Sequence, residues 1–349
     1  MYIYIYLYFM RARIFGAGSI GNHLSNAFRK LNYEVEVIDI DKSALIRMKE
    51  DIYPNRYGSW DKNIKLREEP SKEFVDIEII GTPPDTHAEI LIERINQKQS
   101  KCWLVEKPFT IPSKEHIQQL ENKIKIHKEN IFVGYNHSIS PAFLDLLEDL
   151  ESNDEPTKIS CSWAEHWGGI FKAHPWLSGP DDSYLGFKNR GGGALMEHSH
   201  GLHLLMLIFE KYKLEIDNIN SSILMDKNLN YDKKTYLSFK FKKSEIPSFY
   251  ETDVITHEVN KSISIETKNK SYKLIFGSDN GTSDTYIKKN NLIGITKKYK
   301  KNRADDFIRE IKVIDNFLKN KSNESHFRNI SCDIGLKVAS VCANIFENN

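Results

Sequence analysis

Three glycines in G-x-G-x-x-G spacing, Gly16-Ala17-Gly18-Ser19-Ile20-Gly21, stand between a β-rich run, Arg11 to Phe15, and a stretch of helical character. In that setting Gly16 permits a tight turn, Gly18 lets the backbone approach a pyrophosphate, and Gly21 allows close helix-to-strand packing. Ser19 and Ile20 open the helix, where free N–H groups bind an anion. Asp39 ends the second β-rich run, about 20 residues on, where a carboxylate accepts both ribose hydroxyls and repels a 2′-phosphate. The cofactor expected is therefore NAD, with NADP disfavoured. A glycine-rich turn without a ligand is the plain alternative, and the strand, helix and acid together weigh against it.

Two more turns follow β-rich runs. Gly81-Thr82-Pro83-Pro84-Asp85-Thr86-His87 is stiff and falls at the carboxyl edge of the expected sheet, where cofactors lie, which makes Thr82, Pro83 and His87 candidate cofactor contacts. Taken alone it reads more readily as a Pro-rich turn with a surface histidine. In Glu106-Lys107-Pro108 the proline fixes the backbone beyond the lysine, whose ammonium could stabilise a developing alkoxide. Taken alone, E-K-P is a common tripeptide.

The segment Gly191 to His203 (GGGALMEHSHGLH) supplies histidines. On one continuous helix over Ala194 to Glu210, Leu195, Leu202, Met206 and Phe209 form the apolar stripe. His198 projects near that stripe and reads as a packed residue, whereas Glu197, His200 and His203 lie round the opposite side. His200 is the chosen general base: its ordinary pKa is near neutrality, and Glu197 three residues earlier could orient its ring. His203 is the other candidate, and a site using no histidine is the third. Upstream, Trp163-Ala-Glu165-His166-Trp167 and His174-Pro-Trp176 through Tyr184 combine aromatic faces with hydrogen-bonding groups, which suits a sugar ring and equally suits a loop anchored by buried tryptophans. No metal is expected, since neither H-x-x-x-H nor H-E-x-x-H spacing occurs and hydride transfer needs none.

These residues require a scaffold. The alternation of Arg11–Phe15, Glu34–Asp39, Val75–Ile80, Cys102–Val105 and Ile131–Gly134 with helical stretches, including Lys114–His127, predicts a parallel sheet ending near residue 135. From Thr157 the period changes to two, over Thr157–Trp163, Tyr236–Phe241, Ser262–Thr267 and Ser271–Phe276, which predicts an antiparallel sheet. Helices are expected at Ala304–Leu318 and Asp333–Phe346, and Gly168–Gly193 reads as a functional loop. The fold class is thus α/β: an N-terminal Rossmann domain, 1–135, and a C-terminal α/β domain with a largely antiparallel open sheet, 136–349. The closing helices are free to pack back on the first domain.

Lys plus Arg total 49 against 48 Asp plus Glu, so no basic field exists for nucleic acid or an anionic membrane, and a small molecule is the expected partner. Four scattered cysteines without a C-x-x-C pair fit a reducing cytoplasm. The apolar opening, Met1 to Met10, is too short to span a bilayer and lacks the flanks of a signal peptide. Met1 to Phe9 read either as an added edge strand or as the product of an upstream start codon.

Taken as an ordered set, G-x-G-x-x-G, the acid after the second strand, T-P-P-D-T-H, E-K-P, Gly134-Tyr135-Asn136-His137 and Gly191-Gly192-Gly193-Ala194-Leu195 resemble the Gfo/Idh/MocA family of sugar and cyclitol dehydrogenases. By motif the resemblance covers about residues 10 to 210. It implies a Rossmann domain, a bound nicotinamide cofactor, a second domain whose open sheet makes a homodimer or homotetramer interface, and Lys107 beside the reacting carbon. Glu106 and Lys107 are then expected at the cofactor, and Asn136, His166, Trp176 and His203 at a sugar-like substrate. One departure stands out. Where most of the family has an Asp followed four residues later by the catalytic His, this chain has Glu197 and then Gly201. The implied activity is oxidation of a secondary hydroxyl on a sugar, sugar nucleotide or cyclitol. A glycosidase using transient internal oxidation and a non-catalytic cofactor sensor are the alternatives.

Overall fold

Residues 9–150, 154–290, 293–320 and 325–347 are described by a computed structural model of the chain. Between residues 11 and 133 the short apolar runs form one sheet: β1 (Arg11–Phe15), β2 (Glu34–Ile38), β3 (Ile64–Arg67), β4 (Val75–Ile80), β5 (Ser100–Val105) and β6 (Ile131–Val133). Its order is β3-β2-β1-β4-β5-β6, and every neighbouring pair is parallel. Helices cover both faces of such a sheet, which is why β4 is buried along its whole length. The order reverses between β1 and β4, and a crevice opens at the carboxyl ends of strands that diverge in this way.

The second sheet holds β7 (Pro156–Ala164), β8 (Ile216–Met225), β9 (Asp232–Phe241), β10 (Ser244–Asp253), β11 (Asn260–Thr267), β12 (Lys270–Gly277), β13 (Ser283–Asn290) and β14 (Gly294–Lys300). They run in the order β14-β13-β12-β11-β7-β10-β9-β8. All adjacent pairs are antiparallel except β7 with β10. The expected α/β class, with a parallel Rossmann sheet and a largely antiparallel open sheet, is the one observed.

Five strands carry no clear signal in the sequence. β3 has four residues, β8 (IDNINSSILM) is polar at half its positions and β13 at most, and β14 (GITKKYK) is an exposed edge. β10 contains Pro247, beside which the register with β9 shifts between Ser244 and Ser248. The expected edge strand at the N-terminus lies, apart from Phe9, outside the described residues.

The single helix expected over Ala194–Glu210 is two: a turn at Ala194–Glu197 and a helix at Ser199–Lys211, separated at His198 (φ −96°, ψ 17°). The Gly168–Gly193 segment is ordered by a short helix, Trp167–Lys172, and by 3₁₀ turns at Pro180–Asp182, Tyr184–Gly186 and Lys188–Arg190. Trp167, Ile170, Leu185, Ala194, Tyr231 and Val254 form a small core beneath it. The closing helices return to the first sheet: Arg303–Leu318 packs on Ser19–Lys30, where the Tyr33 hydroxyl donates to Asp315 (2.7 Å), and Cys332–Glu347 brings Gly335 against Val133. Among the described residues no helix is long and apolar enough to cross a membrane.

Candidate active site

Backbone bonds carry the parallel ladder past the strand ends and align the motif-bearing turns. Gly16 N–H donates to Ile38 O (2.8 Å), Gly81 N–H to Phe15 O (2.8 Å), Glu106 N–H to Ile80 O (2.9 Å) and Gly134 N–H to Val105 O (2.8 Å). Four turns far apart in sequence thus share one edge of the sheet.

The glycines divide as their spacing predicts. Gly16 has φ +104°, and a Cβ there would stand 2.6 Å from Gly81 O; a Cβ on Gly21 would stand 2.0 Å from Gly16 O. Gly18 faces open space, with nothing within 4 Å of the place a Cβ would take. Gly18→Ala is therefore expected to leave thermal stability nearly unchanged while weakening NADH binding, because only the approaching ligand meets the methyl group. Gly21→Ala is expected to cost about 1–3 kcal/mol of stability through overpacking. Thermal melts and NADH fluorescence titration of the pair check this, and equal effects on melting would remove the distinction.

Asp39 lies beyond the end of β2, where Oδ2 accepts the Ala17 N–H (2.8 Å) and Oδ1 the Asp41 N–H (2.9 Å). Each oxygen keeps a lone pair for a ribose hydroxyl. Open space over Gly18, the helix start at Ser19 and the acid beside the loop fit a dinucleotide. His87 has another role. It is fully buried, its Nε2 2.7 Å from Thr82 O and its Nδ1 3.1 Å from Pro108 O, and burial lowers its pKa. The ring joins the Thr82–His87 turn to the E-K-P turn from beneath and so positions the edge. Thr82 hydrogen-bonds Thr86 (2.7 Å), and Pro83 precedes the Pro84–Gln97 helix.

A cavity of about 350 Å³ unites Ser19 and Ile20 with Lys107, Glu197 and His200. Lys107 Nζ donates to Glu197 O (2.7 Å) and lies 3.1 Å from Glu197 Oε2. The carboxylate expected to orient His200 is thus committed to the lysine, and among the described residues no hydrogen bond joins Glu197 to His200. The break at His198 explains this, because it turns the Ser199–Lys211 helix out of register with Glu197. The same break accounts for Gly201. A Cβ there would meet Tyr250 (2.7 Å), Cys161 (3.1 Å) and Trp163 (3.1 Å), so that position faces β7 and β10, where no ring fits, while His200 faces the cavity.

His200 is 8% exposed, its Nδ1 has no partner, and its ring meets His137 edge-on at 4.7 Å. Burial holds its pKa well below the usual value, assisted by His137, Lys107 and Arg303, so the ring is neutral at pH 7. His203 does not reach the cavity: it stacks on Tyr135 (4.1 Å) and its Nε2 pairs with Asn329 O (2.7 Å). Its expected place on an outward side fails for the same reason, since almost all of Ser199–Lys211 is buried.

Other expected contacts also lie off the cavity. His166 stacks on His257 (4.0 Å) and accepts the Gly168 N–H, and Trp176 lies under the Arg47 guanidinium (4.9 Å). Asn136 is buried with Oδ1 unpartnered, and its neighbour His137 lines the wall instead. Glu106 is buried against Gly134, and desolvation raises its carboxyl to about 7. Glu310, from the Arg303–Leu318 helix, has both oxygens unpartnered and is raised further by burial and the Glu106 charge.

The wall also holds Trp163, Glu165 and Tyr184 from the aromatic blocks read as suited to a sugar ring, His198, which was read as a packed residue, and His137 and Arg303, which sequence reasoning did not place at the site. Trp163 was legible from the period of two along β7, whereas Glu165 and His166 both lie past the strand's end at Ala164. Arg303 had no local signal, being 196 positions beyond Lys107 in the numbering.

No protein-family model matches the chain, and no curated protein matches its sequence. Solved structures match its fold over nearly the full length. UDP-N-acetylglucosamine 3-dehydrogenase GnnA from Acidithiobacillus ferrooxidans superposes with a TM-score of 0.71 at 14% identity, covering 97% of each chain. A levoglucosan dehydrogenase in complex with NADH gives 0.72 at 13% identity, covering 97% of this chain and 96% of that one. The super-repressor mutant of Gal80p from Saccharomyces cerevisiae gives 0.73 at 13% identity, covering 98% and 96%. At these identities the likeness establishes the shared two-sheet fold.

Proposed function

We propose that this chain is an NAD(H)-dependent oxidoreductase of Gfo/Idh/MocA type, acting on a secondary hydroxyl of a sugar, sugar nucleotide or cyclitol. The observation that carries the proposal is the meeting of Ser19 and Ile20, at the dinucleotide helix start, with Lys107, Glu197 and His200 around one cavity. Two of the fold neighbours named above are dehydrogenases of sugar-like compounds, which supports the same class. Residues 1–135 form the cofactor domain in this proposal and 136–349 the substrate domain, whose open sheet supplies a homo-oligomer interface.

A bound nicotinamide supplies hydride exchange at the substrate carbon. Lys107 holds the substrate oxygen and stabilises its developing negative charge. Glu197 fixes the ammonium in place by its 3.1 Å contact. His200, neutral in the cavity wall, takes the hydroxyl proton. Asp39 selects NAD by occupying the ground a 2′-phosphate would need.

Nicotinamide absorbance on mixing the protein with NAD or NADP and a panel of sugars, sugar nucleotides and cyclitols tests this directly. Turnover with one class supports the proposal. Tight NADH binding without turnover on any class points to a sensor, a reading that the fold likeness to Gal80p keeps open. Asp39→Ser is expected to raise the NADP-to-NAD ratio of kcat/KM by about tenfold or more, roughly 1.4 kcal/mol. An unaltered ratio would remove Asp39 from cofactor selection.

A further inference from the structure

The cavity does not end at the catalytic residues. It shares His23, Gly169, Ala173 and Arg303 with a larger groove of about 790 Å³ between the Ser19–Lys30 and Arg303–Leu318 helices and the Trp167–Lys172 helix. The two spaces differ in charge balance. In the catalytic cavity the lysines are matched: Lys107 faces Glu197 (3.1 Å), Lys261 faces Glu165 (2.5 Å) and Lys301 faces Asp306 (3.0 Å).

In the groove they are not. Lys30, Arg56 and Lys172 line it, and none of the three has a carboxylate within ion-pair distance among the described residues. Among the described residues the one carboxylate Arg303 reaches is Asp306, at 3.7 Å, and that carboxylate already faces Lys301 and Arg309 at 3.0 Å each. The one acid in the groove wall, Asp305, accepts the Asn302 N–H (2.9 Å) as part of a helix cap. Arg56 is fixed in place by donating to Ser19 O and Oγ (3.0 Å each) and to Ala173 O (2.9 Å). Its positive charge is therefore built into the wall and left uncompensated. His23, also in the groove wall, has its pKa lowered to about 3 by burial and by the charges of Arg303 and Arg56.

We propose that this groove holds the diphosphate of a nucleoside-diphosphate sugar whose sugar ring occupies the catalytic cavity. The inference rests on the dehydrogenase proposal and narrows its substrate class. Size and chemistry both favour a nucleotide. A carboxylate or a single phosphate would engage one or two cations, whereas His23, Asn26 and Lys30 line the groove over a helix length of about 10 Å. Tyr57 and Ile308 add the apolar surface a base requires. The cofactor's own pyrophosphate is served separately, at the open face of Gly18, and the groove runs away from that loop toward Lys30.

Calorimetric titration of the full chain, saturated with NADH, with UDP, dTDP and GDP in turn tests the assignment at low and high salt. At least one nucleoside diphosphate is expected to bind, more weakly as salt rises. The Lys30→Glu/Lys172→Glu variant, altered only at side chains without ion-pair partners among the described residues, is expected to lose tenfold or more in that affinity while its NADH Kd moves less than twofold. Displacement of NADH by the nucleoside diphosphates, or a loss of NADH affinity in the variant, would assign the groove to the cofactor and overturn the proposal. So would turnover of free sugars or cyclitols with no nucleoside-diphosphate binding, which leaves the dehydrogenase reading standing. Nucleoside-diphosphate binding without turnover of any nucleotide sugar has the reverse meaning: the groove stands and the dehydrogenase reading fails.

Discussion

Arg13→Met is expected to destabilise the fold by about 3–5 kcal/mol, the usual consequence of removing one partner from a buried ion pair. Arg13 has no exposed surface and lies in register with Glu36 on β2 and Glu78 on β4. Its Nε donates to Glu36 (2.6 Å), its Nη1 to Glu78 (2.8 Å), and its Nη2 to the Ser71 and Glu73 carbonyls (2.9 Å each). Methionine fills similar volume and supplies none of these donors. The carboxylates keep weaker support, Glu78 from Arg94 (2.8 Å) and Glu36 from the half-exposed Arg67 (2.7 Å), which places the expected loss nearer the lower figure. Urea unfolding of Arg13→Met, Glu78→Gln and the double variant measures the coupling. The double variant should lose less than the sum of the singles, and strict additivity, or a single-variant loss under about 1 kcal/mol, would show that the row contributes little.

That row shows how far the sequence could be read. RARIF, EVEVID and VDIEII are legible as strands because β-branched and aromatic residues recur in each, and each carries a charge at an interior position. The charges face one another across neighbouring strands, a fact set by register, which no single strand encodes. The same limit governs the site. Gly16, Gly18 and Gly21 act locally, so their roles follow from their own turn. Lys107 was legible because proline and strand end place it at the edge. The partner of Glu197 was not, because it depends on a helix break at His198 with no glycine or proline to announce it, and on a lysine 90 residues earlier. Asn136 and His137 illustrate the finest grain: the motif located the turn, and only the backbone path decided which of two adjacent side chains enters the cavity.

Lys107→Met is expected to lower kcat by about 10²–10³, the typical loss when a donor to a developing oxyanion is removed. NADH affinity should change little, since the dinucleotide loop and Asp39 make no contact with Nζ, whose partners are the carbonyl and carboxylate of Glu197. Glu197→Gln separates two roles for the acid. If Glu197 serves the lysine, as the 3.1 Å contact indicates, the amide weakens the hold on the ammonium and lowers kcat, and the acidic limb of the kcat profile stays in place. If Glu197 served His200, the acidic limb would move instead, because the loss of a nearby anion makes the imidazolium harder to form. Whether the acidic limb responds identifies the group that feels the loss. A profile in which only the acidic limb shifts would return Glu197 to His200 and overturn the lysine pairing.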